Sequence, residues 1–153
     1  MVTRAERNAT DPDLGVLAGR LLFAVQRELF ATLAEQGFED LRPRHGAVLA
    51  YLDPEGLRAT ELSRLSGQHK QVIGTLVDEL VTLGYVERRP DPADRRAKLV
   101  RPTERGLAQM SAADGIMAAI QERHARRLGR DAYTSFKTTL MDITEFQRAR
   151  ATR

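Results

Sequence analysis

Two short helical segments separated by Ser66-Gly67, followed at Gly84 by a change of hydrophobic period, constrain this chain more than any other feature. The first segment runs from about Arg58 to Leu65. The second runs from His69 to Leu83 and carries Val72, Ile73, Leu76, Val77, Leu80 and Leu83 on one face. Spacings of three and four make an amphipathic helix. A glycine between two such helices is the pattern of a helix-turn-helix. After Gly84 the chain reads as a strand, Tyr85 to Arg89, then turn residues Pro90-Asp91-Pro92-Ala93-Asp94, then a return strand, Lys98 to Arg101. The pattern predicts a β-hairpin whose loop is too long for a two-residue turn. So small a hairpin needs helices to pack on.

The flanks are helical. Leu14, Leu17, Leu21, Val25 and Leu29 predict a first helix, with Asp11 as its cap, Pro12 as its first residue and Gly37 as its stop. A short second helix is expected from about Pro43 to Leu52, ended by Asp53-Pro54-Glu55-Gly56. Thr103 is expected to cap a fifth helix bearing Leu107, Met110, Met117 and Ile120. Asp131 is expected to cap a sixth with Tyr133, Phe136, Leu140 and Ile143. The polar start, MVTRAERNATDPD, reads as a frayed arm without the apolar core of a secretory signal. The order is α-α-α-α-β-β-α-α, a mainly α fold with a β wing. All 153 residues read as a single domain, long enough to bury a core without a metal or disulfide staple.

An α-helix fits the major groove of B-DNA, and its first residues reach base edges. Here those are Gln68, His69, Lys70 and Gln71, with Gly74 and Thr75 a turn later. The competing view is a solvated helix start. The hairpin adds Asp94, Arg95, Arg96 and Lys98. The net charge is only +3, so distribution matters more than total. Arg88, Arg89, Arg95, Arg96, Lys98, Arg101 and Arg105 stand against Glu87, Asp91, Asp94 and Glu104 within one short stretch. Arginine is favoured in a narrow minor groove, and an aspartate two residues away can orient it. A local turn salt bridge is the plainer alternative.

Other chemistry finds little support. Cysteine is absent, which excludes disulfides, thiolate metal sites and cysteine nucleophiles and fits a reducing cytosol. The histidines His45, His69 and His124 lack metal-ligand spacing, so no metal site is expected. No phosphate-binding glycine loop or nucleophile motif occurs. Neither a cofactor nor an enzymatic activity is expected. No apolar run is long enough for a membrane helix.

The stretches Leu76-Val77-Asp78-Glu79-Leu80, Leu83-Gly84-Tyr85-Val86-Glu87-Arg88, Asp91-Pro92-Ala93-Asp94-Arg95-Arg96-Ala97-Lys98-Leu99-Val100 and Thr103-Glu104-Arg105-Gly106 resemble the MarR family of bacterial winged helix-turn-helix regulators. The resemblance covers the central half by motif and nearly all of the chain by element order. It implies a sequence-specific repressor of transcription that binds a palindromic site in double-stranded DNA as a homodimer in the cytoplasm. By the same resemblance His69, Lys70, Gln71, Gly74 and Thr75 match recognition-helix contacts. Arg96 matches the minor-groove arginine and Asp94 the acid that orients it. Many relatives have Ser-Arg where this chain has Gly74-Thr75, and Pro102 replaces an apolar residue. Residues of about 43–102 would form the DNA-binding lobe. About 11–36 and 103–150 would form the dimerisation helices, whose apolar stripes the small winged core cannot cover within one chain. Small anionic or aromatic effectors bind many relatives near the second helix, where Phe23, Arg27, Arg44 and His45 could line a pocket. A structural histidine with a polar partner is the alternative for His45. A helical interaction module without DNA binding is the alternative for the whole chain. It would have a neutral recognition helix and a wing without arginine.

Overall fold

The computed structural model describes residues 1–152. Its elements are α1 (Arg4–Thr10), α2 (Leu14–Glu35), a 3-10 turn (Pro43–His45) running into α3 (Gly46–Leu49), α4 (Ala59–Ser66), α5 (Lys70–Thr82), β1 (Val86–Asp91), β2 (Asp94–Pro102), α6 (Glu104–Leu128) and α7 (Arg130–Ala151). From Leu14 onward this is the expected order. The chain divides into two compact units, one ending at Ala113 and the other beginning at Asp114, so α6 belongs partly to each.

The N-terminal arm is not frayed throughout. Thr3 and Glu6 form a reciprocal capping box that starts α1. No residue of α1 is buried. Asp11 ends that helix, and the cap of α2 is Asp13, whose Oδ1 accepts the Val16 amide at 2.9 Å. The expected cap at Asp11 with Pro12 inside the helix is therefore corrected by two residues.

The core of the first unit is assembled from α3, α4, α5 and the hairpin. Val48, Leu49, Leu62, Ile73, Leu76, Val77, Leu80, Tyr85, Val86 and Val100 are all buried in one cluster. On α5 the buried positions Ile73, Leu76, Val77 and Leu80 are the three/four stripe seen in the sequence, whereas Val72 is 44% exposed. Gly67 ends α4 in the left-handed conformation, φ 75°.

The hairpin pairs Val86 with Pro102 through to Pro90 with Lys98, and then jumps to Asp91 with Asp94. The turn itself is two residues, Pro92-Ala93. The surplus expected in a long loop lies instead in β2, where Arg95, Arg96 and Ala97 stand outside the regular register. Leu57 adds a rung at the other edge, exchanging backbone hydrogen bonds with Val100 at 2.9 and 2.8 Å.

The entry into α6 depends on Thr103 and Gly106. The Thr103 hydroxyl donates to the Gly84 carbonyl at 2.6 Å and accepts the Gly106 amide at 3.2 Å. A Cβ on Gly106 would collide with the Tyr85 carbonyl oxygen. Beside it, Tyr85 is fully buried, with its hydroxyl donating to Asp40 at 2.5 Å and the Arg105 guanidinium 4.2 Å above its ring. Burial, reinforced by the Asp40 carboxylate, pushes the Tyr85 phenol well above its ordinary range. Burial works to raise the Asp40 carboxyl, but hydrogen bonds from Tyr85 and Arg105 outweigh it and hold the group low.

In the second unit the Gln121 side-chain oxygen accepts Lys137 Nζ at 2.7 Å, and Glu122 accepts Arg126 and Arg130 at 2.9 and 2.7 Å. Helix α7 is entered through Gly129, φ 92°, with Asp131 inside its first turn, not at its cap. No residue of α7 is buried.

Candidate nucleic-acid interface

The turn between α4 and α5 is held by side chains of α4. Ser63 Oγ donates to the Gln68 carbonyl at 2.6 Å, and Ser66 Oγ accepts the Gln68 amide at 3.2 Å. With the apolar stripe of α5 buried, its opposite edge faces outward. Gln68, His69, Lys70, Gln71 and Thr75 are exposed, and Gly74 is half-buried. His69 stands at the helix N-cap without a side-chain capping bond. The first amides of α5 are therefore not capped by a side chain at that position, and the helix dipole adds partial positive charge there. Nothing lies within 4 Å of a Cβ built on Gly74. That glycine leaves open space on the exposed side, and its own fold does not require it.

The wing offers a second exposed group. Arg95, Arg96 and Lys98 are exposed, and among the described residues none of them, nor Lys70, has an acidic partner. The neighbouring arginines differ. Arg88 is tied to Asp78 of α5 at 2.6 Å, Arg89 to Glu87 at 2.9 Å and Arg58 to Asp91 at 2.6 Å. The basic stretch thus separates into cations consumed in holding the wing and cations left free. Asp94 accepts the backbone amide of Arg96 at 3.1 Å. It shapes the chain at the bulge and does not pair with the guanidinium, as the sequence pattern had suggested. The ties to Asp78 and Asp91 were missed by sequence reading, because each joins residues of different elements, ten and 33 positions apart, that only the fold brings together.

The expected effector residues separate into two pairs. Arg44 and His45 line an open depression of about 560 Å³ with Asp40, Thr75, Asp78 and Glu79, but Phe23 and Arg27 do not. Phe23 is 68% exposed on α2. His45 is 1% exposed. Its Nδ1 accepts the Arg42 amide at 2.9 Å, so that nitrogen carries no proton and Nε2–H donates to Glu79 at 2.7 Å. Both ring nitrogens are engaged within the fold, which favours the structural alternative. Hydrogen bonds from His45 and then Arg44 hold the Glu79 carboxyl below its ordinary range. Among the described residues no group of three or more His, Asp or Glu side chains is arranged to hold a metal ion.

A helix-turn-helix with a cationic wing packed against it defines the class of winged helix DNA-binding proteins. The comparisons narrow the class. The MarR family model matches residues 39–97. CouR of Rhodococcus jostii, solved bound to p-coumaroyl-CoA, is 30% identical, with 86% of this chain and 91% of that chain covered and a TM-score of 0.70. A MarR family transcriptional regulator from a Rhodococcus species is 28% identical, covering 88% and 95% with a TM-score of 0.69. The repressor CouR bound to a 23-mer DNA duplex shares the fold at 24% identity, covering 93% and 99% with a TM-score of 0.72. No match is found among curated proteins. The chain belongs to the MarR family of DNA-binding transcriptional regulators.

Proposed function

We propose that this chain is a homodimeric repressor that binds a palindromic site in double-stranded DNA, with α5 in the major groove and the wing in the flanking minor groove. The observation that carries the reading is the separation of cations. Lys70, Arg95, Arg96 and Lys98 are exposed without acidic partners among the described residues, whereas Arg58, Arg88 and Arg89 are committed to carboxylates. Free cations beside the exposed Gln68, His69 and Gln71 suit phosphates and base edges together. Residues of about 43–102 form the DNA-binding lobe in this reading. About 11–36 and 103–150 supply the dimer contacts. Leu14, Leu17 and Leu21 on α2, and Phe136, Leu140 and Ile143 on α7, are each at least 37% exposed at helical spacing, which supports a second copy as their cover.

A small anionic or aromatic effector is part of the proposal because CouR is bound to p-coumaroyl-CoA in its structure. We propose no catalytic role and no cofactor. A repressor of this kind works in the cytoplasm, and no helix of the described residues is long and apolar enough to cross a membrane. The test is the salt dependence of binding to duplex DNA. The log of affinity should fall against log salt with a slope of about −0.9 for each phosphate neutralised, and a dimer should be seen by sedimentation at the same concentrations. A flat salt response would instead support an interaction module.

A further inference from the structure

The wing is fastened to the helix-turn-helix at a point that no contact with DNA requires. Asp91 closes β1 at the place where the ladder jumps register, and it is 8% exposed. One carboxylate oxygen accepts the Ala93 amide at 2.9 Å, which shapes the two-residue turn. The other accepts Arg58 Nε at 2.7 Å and lies 2.6 Å from a terminal guanidinium nitrogen of the same residue. Arg58 immediately precedes α4, and its side chain makes no capping bond to that helix. The preceding Leu57 is bridged to Val100 of β2. The segment Leu57-Arg58 therefore grips the hairpin twice, by backbone at its middle and by side chain at its tip. The residues immediately beyond the tip turn are Arg95 and Arg96, outside the regular register.

We propose that the Arg58–Asp91 pair is the latch that aims the wing arginines, making Arg58 and Asp91 positioning residues for DNA recognition. The proposal rests on the reading above that the wing docks on DNA. A carboxylate that is nearly buried, accepts the Ala93 amide and Arg58 Nε–H, and is ion-paired to the same guanidinium fixes the orientation of the turn more tightly than a solvated pair does. With the latch open, the ladder from Val86 to Pro90 and the Arg88–Asp78 pair still hold the strand below the turn, but the turn itself loses its tie and Arg95 and Arg96 lose their fixed direction relative to α5. Charge arithmetic argues the opposite way for Asp91, because an acid beside a DNA surface repels phosphate. The two accounts thus predict opposite signs for one substitution.

The probe is a duplex enriched from a random pool by the wild-type protein, used at one fixed salt concentration. Asp91→Asn keeps the shape and can still accept the Ala93 amide, but it loses the charged pair. The latch predicts binding weaker by roughly tenfold with an unchanged dimer, and hydroxyl-radical protection lost under the wing but kept under α5. Unchanged or tighter binding overturns it. Arg58→Ala should weaken binding similarly, and adding Arg58→Ala to the Arg95→Ala, Arg96→Ala pair should change binding by no more than about twofold, since it acts through those two arginines. Additive losses would mean that Arg58 meets phosphate directly, and would overturn the latch. If Asp91→Asn is too unstable to purify, Arg58→Lys keeps the charge and loses the fork, and unchanged affinity there overturns the proposal equally. Arg96→Ala alone separates the two levels. If it leaves affinity intact, wing docking fails and the latch falls with it. If it weakens binding while Asp91→Asn does not, only the latch fails.

Discussion

Helix α5 and the wing present the same kind of surface but are held by different forces. The helix is seated by Ile73, Leu76, Val77 and Leu80, all buried. Its position follows from close packing, which salt and pH barely touch. The wing buries Val86, Val100, Pro102 and Asp91, and its outer half is fixed by ion pairs to α4 and α5 through Arg58–Asp91 and Arg88–Asp78. A reading element mounted on apolar packing should be rigid and all-or-none. One mounted on charged links should loosen by itself while the core stays folded.

The most damaging change should be in the packed half. Leu80→Ala, at a fully buried position, should cost about 2–5 kcal/mol in denaturant unfolding, and DNA binding should vanish with the fold. If DNA binding survived unfolding of this site, the helix would not be the rigid partner. On the exposed side the two regions should separate cleanly. Arg96→Ala should weaken binding to every duplex by about 1–2 kcal/mol without altering the melting temperature, whereas Gln71→Ala should lose about 1–3 kcal/mol of discrimination at one or two base pairs. Isotherms on the preferred site and its single-base variants read both. Equal loss on all variants for Gln71→Ala would remove it from base readout.

Smaller effects sharpen the contrast. Gly74 sits mid-helix with open space where a Cβ would go. Gly74→Ala should stabilise the fold by about 0.5–1 kcal/mol, measured by chemical denaturation. A loss of DNA affinity at the same time would mean that the glycine is kept for close approach of the duplex. The mildest effect is local and belongs to the wing. The Ala93 amide and then Arg58 hold the Asp91 carboxyl below its ordinary range. A group depressed in the folded state stabilises above its unfolded pKa of about 4 and loses that contribution as pH falls through the folded value. Hydrogen exchange at the wing amides should therefore rise below about pH 4 before exchange in α5 does, and Asp91→Asn should abolish the difference. Simultaneous release of both regions would show that the wing has no separate fastening.

What was readable in the sequence follows the same division. The stripe on α5, the stop at Gly67 and the Thr103–Gly106 start of α6 are local patterns, and each appears where periodicity and turn chemistry put it. Helix α1 was hidden because it buries nothing, so it has no apolar period to read. The sequence reading puts the cap of α2 at Asp11, whereas the cap is Asp13, whose reach to the Val16 amide depends on the backbone path after Pro12. The wing turn was misjudged because residue counts do not say whether a surplus sits in the loop or in a bulge. Residues 33 and 34 positions apart make the Arg58–Asp91 and His45–Glu79 links. No local pattern announces such pairs. That is why the strut that His45 forms between the Arg42 backbone and α5 is not legible in the sequence.

The register jump in the hairpin has an evolutionary consequence. The rungs from Val86–Pro102 to Pro90–Lys98 are complete before the jump, and Arg95, Arg96 and Ala97 lie beyond them. A residue gained or lost among those three changes the size of the bulge and leaves the rungs below in place. A strand without such a buffer would flip every side chain to the opposite face for each such change. This wing can lengthen, shorten or exchange its tip in single mutational steps while the scaffold keeps its pairing. On the proposed reading, in which the wing meets DNA, the tip is thereby free to drift toward new sites faster than the fold that carries it.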